Sequence, residues 1–144
     1  MFEVNSAANL KILKLGNDTP GYFNTYLTGV NISNLNLLSH LDITNCTKLM
    51  GALELAGCPN LLELKALGTK IESIALSPTG LVNSLLLPKT LKELKLTNQI
   101  NLKYYDEMNE SNGLYLERND SGNYDNLVKL RIEGCPNINT LNLL

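Results

Sequence analysis

Apolar residues recur along this chain as short apolar–x–apolar units, each fenced off by Asn, Gly or Pro; Leu53-Glu54-Leu55 and Leu94-Lys95-Leu96 are two of them. Alternation over so few residues puts two side chains on one side of a brief strand and one on the other. The clearest copies extend the unit to L-x-x-L-x-L-x-x-C-x-x-L. Leu38, Leu41, Ile43, Cys46 and Leu49 fill one, and Met50, Leu53, Leu55, Cys58 and Leu61 a second. Leu127, Leu130, Ile132, Cys135 and Ile138 fill a third. Anchored on the central apolar residue, the register yields copies at Leu13, Val30, Leu41, Leu53, Leu64, Ile74, Leu85, Leu94, Tyr105, Leu114, Leu130 and Leu141. Steps between centres run from nine to twelve residues, apart from seventeen before Val30 and sixteen before Leu130. Units this short leave no room for a helix to nucleate. Pro20, Pro59, Pro78, Pro88 and Pro136 fall at or beside the unit boundaries, where a missing N–H costs least.

Eleven residues are too few for a full solenoid turn with strands on two sides, so two units make one coil of roughly 20–23 residues. Centres then alternate between two faces. Face A takes Leu13, Leu41, Leu64, Leu85, Tyr105 and Leu130, and face B takes Val30, Leu53, Ile74, Leu94, Leu114 and Leu141. The pattern predicts a mainly β, single-domain parallel β-solenoid over residues 1–144, with about six coils, short strands on two faces and little helix. Stacked coils of this kind bury a continuous Leu and Ile ladder, with strands about 4.8 Å apart.

Asp42-Ile43-Thr44-Asn45-Cys46, Ala56-Gly57-Cys58-Pro59-Asn60-Leu61, Leu87-Pro88-Lys89-Thr90-Leu91 and Glu133-Gly134-Cys135-Pro136-Asn137-Ile138 resemble the irregular bacterial and phage leucine-rich repeats. That family repeats about every twenty-one residues, in two halves that both read L-x-x-L-x-L-x-x-(N/C). The resemblance covers essentially the whole chain and departs from the pattern at Ala66, Tyr105 and Glu107, so the fifth coil fits least well. It implies recognition or scaffolding in bacterial surface proteins or phage structural proteins, hence an extracellular, cell-surface or virion setting. The implied partner is a protein or cell-surface ligand. The repeats begin at Leu10, Leu13 and Leu15 and run to Leu141-Asn142-Leu143-Leu144 without polar caps. That reads as a segment of a longer array, able to self-associate through bare strand edges.

Composition narrows the partners. About twenty asparagines suit many tight turns, because Asn tolerates left-handed backbone and bonds to nearby main chain. A net charge of −2 with 18% charged residues argues against a nucleic-acid surface, which needs concentrated positive charge. No apolar run approaches the ~20 residues of a membrane span. The segment Met1-Phe2-Glu3-Val4-Asn5 lacks the basic and apolar regions of a signal peptide.

Candidate chemistry is sparse, and the expectation is a non-enzymatic protein without cofactor or metal. Cys46, Cys58 and Cys135 lack the C-x₂₋₄-C spacing of zinc ligands and read as small buried thiols of the turns. The alternating faces set Cys46 and Cys135 on the same face but four coils apart, beyond disulfide reach. His40 is the single histidine, with no Ser–His–Asp or Cys–His arrangement around it. Asn119-Asp120-Ser121-Gly122-Asn123-Tyr124-Asp125-Asn126 is oxygen-rich but lacks the EF-hand spacing and closing Glu, and reads as a solvated turn.

Binding is the better prospect. The outward positions of face A form a candidate surface of His40, Asp42, Glu63, Lys65, Leu86, Tyr104, Asp106, Lys129 and Arg131. Face B presents mainly small, plain residues. The two long steps supply candidate loop contacts at Tyr22, Phe23, Tyr26 and Tyr124, since exposed Tyr among small polar residues is the composition of adaptable binding loops. Lys14, Asp42 and Lys65, and likewise Asp106 and Arg131, alternate in sign on successive coils, which also suits cross-strand pairing within the sheet. A recognition module is thus the leading expectation, and a purely structural scaffold or spacer the alternative.

Overall fold

The structure, a computed structural model, describes residues 1–4, 7–78, 81–103, 113–124 and 126–138. Within them the chain forms short strands and no helix. These are β1 (Phe2–Glu3), β2 (Ile12–Lys14), β3 (Val30–Asn31), β4 (His40–Asp42), β5 (Met50–Leu55) and β6 (Glu63–Lys65). Then come β7 (Lys70–Leu76), β8 (Ser84–Leu87), β9 (Glu93–Thr97), β10 (Leu114–Leu116) and β11 (Lys129–Glu133).

Even and odd strands separate. The even strands make one sheet in the order β10-β8-β6-β4-β2, β5, β7, β9 and β11 make a second, and β1 pairs with β3. Every ladder is parallel. Parallel neighbours need a crossover between them, and here each crossover carries a strand of the other sheet.

The apolar–x–apolar units explain the core. Leu13, Leu41, Leu64, Leu85 and Leu114 stand in register across the even-numbered sheet, all buried. Leu53, Ile74, Leu94 and Leu130 do the same across β5, β7, β9 and β11. The second apolar position of the units (Ile43, Leu55, Leu87, Leu96) lies fully inside the same cluster.

Two expected placements are reversed. Leu114 belongs with Leu85 rather than Leu94, and Leu130 with Leu94 rather than Leu85. Among the described strands β9, with Leu94, is followed directly by β10, with Leu114, on the other sheet, whereas the eleven-residue count places a further centre, Tyr105, between them. Tyr104, Tyr105, Asp106 and Glu107 lie outside the described residues, as does Leu141. Val30 is placed in β3 against β1, with no ladder from β3 to β5 among the described residues.

The turns stack as well as the strands. Asn45 takes left-handed backbone (φ 59°), and Gly68, at the corresponding turn one even-strand pass later, does the same (φ 70°). A Cβ on Gly68 would overlap the Asn45 side chain. Asparagine amides tie one turn to an earlier one: Asn45 Nδ2 donates to Asn17 O at 2.9 Å and Asn60 Nδ2 to Asn36 O at 2.5 Å. The thiols share this role. Cys46 Sγ donates to Leu15 O at 3.5 Å and Cys58 Sγ to Ile32 O at 3.4 Å, both buried. Cys135 follows β11 and so sits at the end of the odd-numbered sheet, like Cys58 and unlike Cys46, which corrects the expectation that it shares a face with Cys46.

Candidate functional site

A strand whose central residue faces the core turns both its neighbours outward. On the even-numbered sheet this builds two parallel rows. Ile12, His40 and Glu63 are partnered in one, which ends on the buried Ser84, and Lys14, Asp42, Lys65, Leu86 and Tyr115 in the other. Ile12, Lys14, His40, Asp42, Glu63 and Lys65 surround an open concavity of about 160 Å³, floored by Leu13 and Leu41. Four of the nine expected face residues therefore converge, and Leu86 continues the row beside them.

The electrostatics of this surface are only partly settled internally. Lys65 Nζ approaches Glu63 Oε1 of its own strand at 3.5 Å. No ion pair joins Lys14 to Asp42, or Asp42 to Lys65, among the described residues, although the register makes them neighbours. Asp42 Oδ1 accepts the Thr44 N–H at 3.0 Å, which fixes the carboxylate at the start of its turn. Ser39 Oγ donates to Lys11 O at 2.9 Å and lies 2.8 Å from His40 Nδ1. With the hydroxyl proton committed to Lys11 O, Nδ1–H must be the donor in that contact, which leaves Nε2 as the acceptor of the neutral ring. Ion pairing at such half-exposed positions is worth little, so charge remains for a partner to engage.

The other expected face residues separate from this group. Lys129 and Arg131 lie on β11, in the odd-numbered sheet. There Lys129 pairs with Glu93 at 3.8 Å and Arg131 with Glu133 at 2.6 Å. β9 and β10 are consecutive among the described strands and lie in different sheets, which shifts Lys129 and Arg131 by one place in the count. Tyr104 and Asp106 lie outside the described residues, so the expected charge pair Asp106–Arg131 has no described partner on the even-numbered sheet.

The loops divide similarly. Tyr22, Phe23 and Tyr26 stand 65%, 55% and 92% exposed on a loop whose backbone is well held. Asn24 Oδ1 accepts the N–H groups of Tyr26 and Leu27, while Asn24 Nδ2 donates to Leu15 O. Tyr124, by contrast, is a packing residue. Its ring rests against the core, its hydroxyl accepts Arg118 Nε–H at 3.0 Å, and the guanidinium lies 5.4 Å over the ring. Glu117 Oε2 accepts the N–H of Lys89, and Asn126 Nδ2 donates to Lys89 O. The hydrogen bond from Lys89 to Asp120 holds that carboxyl below the usual carboxylate range and raises the lysine. This loop is bound down at both ends.

Among the described residues no cluster of three or more His, Cys, Asp or Glu could hold a metal ion, and no helix is long and apolar enough to cross a membrane. No protein-family model matches the chain, nor does any curated protein or solved structure. Sequence reasoning left Ile12 out of the candidate surface, although its place one residue before Leu13 marks it as outward. It is 55% exposed at the rim of the concavity.

Proposed function

We propose that this chain is a leucine-rich-repeat-like solenoid of about six coils that works as a non-catalytic protein-interaction module, binding through the outer face of the even-numbered sheet. One observation carries the reading: Ile12, Lys14, His40, Asp42, Glu63 and Lys65 gather around a single concavity. Both charge signs, an imidazole and an exposed isoleucine on rigid strands suit recognition of a peptide or protein surface. The alternation of the described strands between two parallel sheets from β4 to β11 supports the solenoid, and the resemblance of the repeats suits a bacterial surface or phage structural protein.

The test is selection of binders from a random-peptide library displayed as N-terminal fusions, followed by amide chemical-shift mapping of a selected peptide. The reading expects shifts concentrated at Ile12–Lys14, His40–Asp42 and Glu63–Lys65. Shifts confined to β5, β7, β9 and β11 would overturn it. A purely structural role is the second reading, favoured by the asparagine amides that tie Asn45 to Asn17, Asn60 to Asn36 and Asn137 to Ile100. Under it, no peptide would be enriched on this face.

A further inference from the structure

Pairing between β7 and β9 stops early. The ladder of β5 with β7 runs on to Leu55↔Leu76, and that of β9 with β11 to Thr97↔Glu133. Between them, β7 and β9 pair only at Ser73↔Glu93 and Ile74↔Leu94. Past Ile74 the strands part around an open cleft of about 340 Å³, with Ile74, Leu76 and Pro78 on one wall and Lys95, Thr97 and Gln99 on the other.

Gln99, only 1% exposed, lines this cleft. Its Nε2 donates to Ser77 O and Thr97 O, each at 3.1 Å. Two carbonyl acceptors admit only the NH₂ end of an amide, so the orientation is fixed and Oε1 points elsewhere. Neither Oε1 nor Thr97 Oγ1 has a hydrogen-bond partner among the described residues, and both are closed off from solvent. Buried polar atoms in this condition favour any donor that reaches them. At the rim, Lys95 faces Arg131 directly across the β9–β11 register, where like charges repel. Arg131 is engaged by Glu133, whereas Lys95 makes no ion pair among the described residues.

The cleft therefore combines two buried acceptors and aliphatic walls with a cation that has no ion pair among the described residues. We propose that it binds the C-terminal residue of a peptide. The carboxylate meets Lys95, the terminal amide N–H meets Gln99 Oε1 or Thr97 Oγ1, and an aliphatic side chain lies among Ile74, Leu76 and Pro78. Beyond Ile74↔Leu94 no residues of β7 and β9 are paired, so spreading the strands there to expose the two oxygens gives up chiefly the Gln99 Nε2 bond to Ser77 O. Strand flanks left unpaired in this way take up extended peptide main chain. The site lies on the odd-numbered sheet and does not depend on the recognition face proposed above, so either assignment can fail alone.

N-acetyl-L-valine is the minimal probe, since it carries the carboxylate, the amide N–H and the side chain. Titrated into the isotope-labelled protein, it is expected to give saturable amide shifts confined to Ile74–Ser77 and Lys95–Gln99, with millimolar affinity as befits so small a ligand. N-acetyl-L-valinamide, and the Lys95→Met variant with the free acid, should each bind at least about fivefold more weakly. Thr97→Val should weaken binding while raising the melting temperature of the free protein, since it removes one orphan hydroxyl. Absence of saturable shifts at these residues, or equal binding of acid and amide, or undiminished binding by Lys95→Met, would each overturn the proposal.

Discussion

Gly68→Ala probes the stacking of the turns. At φ 70° an alanine must adopt left-handed backbone, which costs roughly 1–2 kcal/mol. Its Cβ would also overlap Asn45 Oδ1, so the asparagine has to swing away and give up the 2.9 Å bond from Nδ2 to Asn17 O. Losing that bond adds about 0.5–1.5 kcal/mol, for a total of about 1.5–3.5 kcal/mol. Urea unfolding measures it directly, as a lower midpoint at unchanged slope. A double-mutant cycle separates the two terms. In an Asn45→Gly background the overlap has no counterpart, and Gly68→Ala should then cost only the backbone part, roughly 1–2 kcal/mol. A Gly68→Ala effect within about 0.5 kcal/mol of zero, or an equal cost in both backgrounds, would refute the stacking of Asn45 on Gly68. Gly16→Ala should be the harsher change, because its Cβ meets the backbone of Thr44 rather than a side chain that can turn away.

Three further outcomes are expected. Leu94 is 2% exposed between Ile74 and Leu130, so Leu94→Ala should cost about 2–5 kcal/mol in denaturant titration, and Leu94→Asp should abolish folding; native-like melting of Leu94→Asp would contradict its burial. Cys46 is pushed up to about 11 from an ordinary 9.0, first by burial and then by Asp42. Because the folded state favours the neutral thiol, its contribution to stability is fully present below pH 9.0 and is lost as pH rises towards about 11; native-state alkylation of Cys46 as fast as in urea at pH 8.5 would contradict this. Tyr124→Ala should lower the melting temperature, because the ring packs on the core and holds Arg118, whereas Tyr26→Ala should leave stability within about 0.5 kcal/mol; the opposite ranking by thermal scan would reverse the loop assignments.

Much of the fold was legible because a parallel sheet built from very short strands writes its period plainly. Leu41-Asp42-Ile43 and Leu53-Glu54-Leu55 declare both the inward pair and the outward residue, and the core follows. Counting fails past Leu94. It places a centre at Tyr105, in a stretch that holds Tyr104-Tyr105-Asp106-Glu107 with Glu107 at a position that wants an inward Leu, and it sets Leu114 and Leu130 on the sides opposite to those observed. Lys129 and Arg131 were moved to the wrong sheet by that step alone. Local pattern states which residues point outward but not which strands are neighbours. The convergence of His40, Asp42, Glu63 and Lys65 was therefore legible only where the period was unbroken. The parting of β7 from β9 had no signature at all, because Ile74-Ala75-Leu76 and Leu94-Lys95-Leu96 look alike in sequence whether or not they are bonded.

The recognition face is tested most directly by the affinity of one selected internal peptide for two double variants, measured by calorimetry at fixed ionic strength. Asp42→Ala with Lys65→Ala removes charges of both signs from the concavity of the even-numbered sheet, and Glu54→Ala with Glu93→Ala removes two negative charges from the outer side of β5 and β9. Binding should fall by more than about tenfold for the first, equivalent to about 1.4 kcal/mol, and by less than about twofold for the second, with both variants still unfolding cooperatively. Full binding by Asp42→Ala/Lys65→Ala, together with loss of binding by Glu54→Ala/Glu93→Ala, would contradict the account.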